Sequence, residues 1–141
     1  MRKCIVAAFI VTLASSGTLA SPADVQALLS VCKDTDFCPG FQKQFVDEYK
    51  SAFRRRYTSQ RNVAFMLEDR DSHPDHGVVR NWVAACAWRA VIMNSRDKEV
   101  DDSDRMNLAF ACKRLNPPGR VAAAVLASDL MGQIYKRPLA A

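Results

Sequence analysis

The sequence predicts an all-α domain, a small antiparallel array of about five to six helices joined as αα-hairpins and stapled by disulfides. Three observations predict it. Apolar residues recur at helical spacings along most of the chain, no stretch of four or more residues shows the alternation of a strand, and Pro, Gly, Asn and Asp punctuate the periodic stretches at short intervals. The 141 residues, 49% hydrophobic and 25% charged, suffice for one core and one domain. Five glycines and six prolines exclude a collagenous or low-complexity polymer.

Residues 1–20 form a predicted signal peptide. Arg2 and Lys3 precede an apolar run from Cys4 to Leu13, and Thr18-Leu19-Ala20 supplies a small-residue cleavage site before Ser21. The run is shorter than the roughly 20 residues a bilayer-spanning helix needs. The mature domain is then 21–141, periplasmic or secreted, without a transmembrane segment after cleavage. Its 20 basic residues less Arg2 and Lys3 leave 18 against 15 acidic ones, so the formal charge falls from +5 to +3. The five cysteines less Cys4 leave four.

Ser21-Pro22-Ala23-Asp24 has the composition of a helix start, and Val25, Leu28, Leu29 and Cys32 follow at i, i+3, i+4 and i+7. Asp34-Thr35-Asp36 and Pro39-Gly40 mark a turn around Cys38. Phe41, Phe45, Tyr49 and Phe53 recur every fourth residue and predict a second helix, with Lys43, Lys50 and Arg54-Arg55-Arg56 on its other face. A third runs from Thr58 to Glu68, with Val63, Met66 and Leu67 inward. Residues 69–77 hold two His, Pro74 and three Asp but nothing apolar, which predicts a polar loop. Val79, Trp82, Val83, Cys86, Ala87, Ala90 and Val91 form the stripe of a fourth helix. Asp101, Asp102 and Asp104 place acids at the start of a fifth, where the helix dipole favours them. Asn116-Pro117-Pro118-Gly119 ends it and starts a sixth, carrying Val121, Val125, Leu130, Ile134 and Tyr135 up to Pro138.

Four cysteines in an exported chain predict two disulfides, with three connectivities open. If the fourth and fifth helices bend near residue 99, Cys86 and Cys112 lie equally far from the bend and therefore side by side. That pairing leaves Cys32–Cys38 to close a tight loop. Cys-x5-Cys is not a zinc spacing, which favours disulfides over metal. Closing a 15-residue loop contributes about 3 kcal/mol and a longer loop more, so Cys86–Cys112 is expected to matter more.

Gly77, Val78, Asn81, Ala85 and Trp88 resemble the loop and second helix of a Sel-like repeat, a relative of the tetratricopeptide repeat, with Asn81 where an Asp is usual. Arg61-Asn62-Val63-Ala64-Phe65-Met66-Leu67 is similar to that family's first helix, with Ala64 for Gly and Leu67 for Tyr. Residues 112–127, with Leu115-Asn116-Pro117, resemble the helical cap that ends such arrays. The loop before Gly77 is longer than the family's, and the resemblance covers one repeat plus a cap. It implies tetratricopeptide-like hairpins that serve protein–protein contact and carry no catalytic residues. One repeat normally leans on neighbours, so the disulfides and flanking helices would have to support this one.

His73-Pro74-Asp75-His76 is the one cluster in the sequence with metal-ligand chemistry, and His73 and His76 are its candidate ligands. Pro74 breaks the spacing that would aim both imidazoles one way, and no remote ligand accompanies them, so a solvated loop is expected. No nucleophile has a base in prospect, and neither a nucleophile elbow nor a phosphate-cradling glycine loop occurs. The acid pairs Glu68-Asp69 and Asp101-Asp102 are expected at helix ends, on solvent. An enzyme is not expected, and no cofactor. Arg54, Arg55, Arg56 and Arg61, with Lys50 and the interleaved Tyr49, Phe53 and Tyr57, form a basic cluster. Its aromatic rings are expected in the core, which removes the stacking platform a nucleic-acid site needs. The candidate interaction surface is therefore Arg54, Arg55, Arg56, Arg61 and, as an aromatic anchor, Trp88. Together these features predict an exported, non-enzymatic helical-repeat protein acting on a protein partner, with an envelope protein as the candidate. A small periplasmic inhibitor or immunity-type protein that binds a cell-wall enzyme is the alternative.

Overall fold

The computed structural model describes residues 20–33, 36–68 and 77–140. Residues 1–19, within the predicted signal peptide, and residues 69–76, which include the candidate ligands His73 and His76, lie outside the described residues. Within them the chain forms a short 3-10 helix, Pro22–Leu28, and five α-helices: α1 (Cys38–Ala52), α2 (Tyr57–Glu68), α3 (Trp82–Asn94), α4 (Asp102–Cys112) and α5 (Pro117–Tyr135). No strand is formed among the described residues, only one isolated antiparallel bridge between Leu29 and Val78. No described helix is long and apolar enough to cross a membrane.

Each start is set by local chemistry. Ser21 and Asp24 cap one another: Ser21 Oγ accepts from Ala23 N, and Asp24 accepts from Ser21 N at 2.7 Å. The helix they open is 3-10 and ends before the residues expected to continue it. Leu29 leaves for the bridge, where Val79 N donates to Leu28 O at 2.8 Å and Ser30 N to Gly77 O at 3.0 Å. Val25 and Leu28 are buried, but Cys32 lies beyond the helix. The α1 helix starts at Cys38, before the Phe41 that opens the aromatic series, because Pro39 is well suited to a first turn.

The end of α1 is a Schellman motif, with Arg56 N donating to Ser51 O and Arg55 N to Ala52 O. Arg55 occupies the left-handed position at φ 64, usually a glycine's. Its side chain offsets that strain: Nε donates to Ile134 O at 3.0 Å, and the guanidinium lies 5.4 Å from the Tyr135 ring centroid. The α1–α2 turn is thereby fastened to the last turn of α5, where a cation also meets the negative end of the helix dipole.

The core is organised around α3, against which α2, α4 and α5 all pack. Asn81 caps α3 by accepting Ala84 N at 2.9 Å, so the helix begins at Trp82. Val79, expected in the α3 stripe, lies before the helix and is exposed. Ala84, Ala85 and Ala87 are buried and bring neighbouring backbones close, while Trp88 fills the junction with α1, edge-on to Tyr49 and Phe53 at 5.7 and 5.5 Å. Asp101 and Asp104 form a capping box at α4, and Asn116 caps α5.

The buried face of α5 comprises Ala123, Leu126, Ala127, Leu130, Met131 and Ile134. Val121 and Val125, expected on the inner stripe, are exposed. The helix is apolar on nearly all sides, so periodicity alone does not choose which side meets α3.

Both expected disulfides are present, Cys32–Cys38 with Cα atoms 5.6 Å apart and Cys86–Cys112 at 5.0 Å. The second ties α3 to α4, as equal distances from the bend require.

Candidate functional site

The basic cluster divides into two pairs. Arg61 is turned inward: Nε lies 3.2 Å from Asp104 Oδ1, while the two Nη atoms reach Tyr57 Oη at 3.2 Å and Ser103 Oγ at 3.1 Å. Arg55 is committed to α5. Arg54 and Arg56 remain exposed and line a groove of about 540 Å³ with Lys43, Asp47 and Glu48. Lys43 is already paired with Asp47 at 2.7 Å. The groove therefore mixes both signs, while Lys50, Arg54, Arg55 and Arg56 are all exposed.

Trp88 is not a surface anchor. It is 1% exposed, in the middle of the aromatic cluster. Trp82 is the half-buried tryptophan, packed on Phe110 with Arg114 stacked 4.5 Å above its ring. The six-residue spacing separates the two faces correctly, but the side with α1 behind it belongs to Trp88.

Glu68 also departs from expectation. The last turn of α2 is covered by α3, so Glu68 is fully buried and forms an ion pair with Arg89, 3% exposed, at 2.9 Å. Nearby, Tyr57 donates its hydroxyl to Asp104. Burial first, then this hydrogen bond and the Asp104 charge, push the Tyr57 phenol up to about 12. A cavity of about 370 Å³ opens between α2, α3 and the segment leading to α4, with Arg61, Arg89, Phe65 and Glu99 among its walls.

The third feature is the segment between the 3-10 helix and α1. Besides the disulfide and the two backbone bonds to Gly77 and Val79, Gln42 Nε2 donates to Ser30 O and to Gly77 O. Gly77 has φ +66, and a Cβ there would lie 2.6 Å from Cys38 Sγ and from Gln42 Cγ. Only glycine lets the chain cross the disulfide so closely. On this fastened segment Val31 is 88% exposed and Phe37 70% exposed.

Sequence reasoning passed over Val31 and Phe37 because neither belongs to a periodic stripe. Their signal was one large apolar residue just before and one just inside a cysteine loop that otherwise holds Lys33, Asp34, Thr35 and Asp36. Arg89 was overlooked too, although it is the one charge within the otherwise apolar run from Trp82 to Met93.

Among the described residues, no group of three or more His, Cys, Asp or Glu is arranged to hold a metal ion. No family model matches the chain, and neither a curated protein nor a solved structure matches it.

Proposed function

We propose that this chain is an exported, non-enzymatic helical protein that acts by protein–protein contact through the loop closed by Cys32–Cys38. The carrying observation is the exposure of Val31 and Phe37 on a segment held by a disulfide, two backbone bonds and Gln42. A solvent-facing Phe gains nothing for folding. Beside a disulfide that ties its neighbour Cys38, it can be buried by a partner with little further entropic cost. Two disulfides fit an oxidising compartment, as export through residues 1–20 requires. The resemblance of residues 61–67 and 77–88 to a Sel-like repeat, and of 112–127 to its cap, supports a contact role.

An inhibitor or immunity-type protein capping a cell-wall enzyme is the narrower form of this reading. Phe37 favours it, since a single aromatic on a constrained loop suits insertion into a cleft. Photo-crosslinking in the exporting cell tests the proposal. A crosslinker at position 37 should capture one defined protein, lost on Val31→Asp, and a crosslinker at the equally exposed Met106 should not. Identical capture from both positions would refute it.

A further inference from the structure

We propose that the end of the bundle built from the start of α3, the end of α4 and the start of α5 rests on an anionic lipid surface. These segments meet: Trp82 opens α3 and packs on Phe110 in the last turn of α4, Cys86–Cys112 ties the same two helices, and α5 begins at Pro117 just beyond. The end is basic. Lys113, Arg114 and Arg120 are exposed, none of the three pairs with an acid among the described residues, and neither residues 77–96 nor residues 105–128 contain an Asp or Glu. It is also apolar. Met106, one turn before Phe110 on the same face of α4, is 67% exposed, Val121 beside Arg120 is 65% exposed, and Val79 just before α3 is 42% exposed.

The mixture of cations and apolar groups selects the partner. Arg114 lies 4.5 Å from the ring centroids of both Trp82 and Phe110, and Lys113 lies 5.2 Å from that of Phe110. Cations thus occupy ring faces on which nucleic-acid bases would stack. An acidic protein surface answers the three cations but not the exposed Met106, Val121 and Val79. A lipid interface answers both: phosphate headgroups take the cations, while the aliphatic and indole groups enter the boundary with the acyl chains. Each cation beside an anionic leaflet tightens attachment about fivefold, so three together give on the order of a hundredfold. No described helix is long and apolar enough to cross a bilayer, and the contact is with its surface. The residues involved are distinct from Val31 and Phe37, so this attachment does not depend on the protein partner proposed above.

Vesicle sedimentation of the oxidised mature protein tests this. It should bind vesicles of equal parts phosphatidylcholine and phosphatidylglycerol, and bind phosphatidylcholine alone at least about tenfold more weakly. Brominated phosphatidylcholine in the mixed vesicles should quench the half-buried Trp82, and Trp82→Phe, which keeps only the 1% exposed Trp88, should lose most of that quenching. Lys113→Gln/Arg114→Gln should weaken binding about 30-fold with the melting curve retained, and Lys113→Gln alone, which leaves the Trp82 stack in place, about fivefold. Arg54→Gln/Arg56→Gln removes the same charge beside Arg55, at the far end of α5, and should leave binding within about threefold of wild type. Equal losses from the two double variants would reduce the effect to net charge and overturn the proposal. Equal binding to phosphatidylcholine alone, absence of quenching, or binding to poly-glutamate as tight as to the vesicles would overturn it as well.

Discussion

Replacing Arg89 by methionine removes the ion pair that joins Glu68 to α3 and leaves a carboxylate buried at the α2–α3 contact. Taking one partner from a buried pair costs about 3–5 kcal/mol, because the remaining charge has lost its compensation but not its desolvation. For a domain of this length each kcal/mol lowers the melting temperature by roughly 3–5 °C, so Arg89→Met should melt about 10–20 °C below wild type. Glu68→Gln keeps the shape and removes the charge; Arg89 can still reach the cavity, so its loss should be smaller. The double variant Glu68→Met/Arg89→Met should recover most of the single-variant loss, since two apolar side chains of similar volume pack there without a desolvation cost. Far-UV circular dichroism melts and urea titrations of these proteins together with Glu68→Met, disulfides intact, close the double-mutant cycle and give the coupling energy directly. Additive single losses would refute the reasoning, as would an Arg89→Met cost below about 1 kcal/mol, the size expected of an exposed pair.

The other predictions follow from separate features. Cys86→Ser/Cys112→Ser should lose about 3.5 kcal/mol and Cys32→Ser/Cys38→Ser about 2.2, from loop separations of 26 and 6 residues, with only the first lowering the stability of α3 and α4 in hydrogen exchange. Gly77→Ala should cost at least about 1–2 kcal/mol, and it should speed reduction of Cys32–Cys38 by dithiothreitol, because the added methyl displaces Cys38 and Gln42. Tyr57 holds its proton to about pH 12 when folded and to about 10 when unfolded, so its contribution is whole below pH 10 and is lost between pH 10 and 12. Tyr57→Phe should flatten that loss in denaturant titrations across the same range.

Much of the architecture was legible because short helices are written locally. The four-residue aromatic spacing of α1, the caps at Ser21, Asp101 and Asn116, and the equal distances of Cys86 and Cys112 from the bend all rest on neighbours in sequence. What stayed hidden depends on which element lies behind a residue. Trp88 and Trp82 are indistinguishable by composition until α1 is placed against one of them. Val121 and Val125 belong to a helix too uniformly apolar to declare its inner face. Glu68 is a helix-end acid by position and a core residue only because α3 crosses there. Arg55 and Arg61 count as surface charges in a sequence, yet one fastens two helix ends and the other serves Asp104. The candidate contact loop was half legible: its disulfide was predicted, but its exposed Phe37 needed the fold.

That loop carries the central claim, and the affinity of the captured partner tests it most directly. Isothermal titration with purified wild type, Phe37→Asp and Met106→Asp should show Phe37→Asp binding at least about 30-fold more weakly, a hot-spot loss of about 2 kcal/mol, with its melting temperature unchanged. Met106→Asp should match wild type. Equal affinities for Phe37→Asp and wild type would contradict the account.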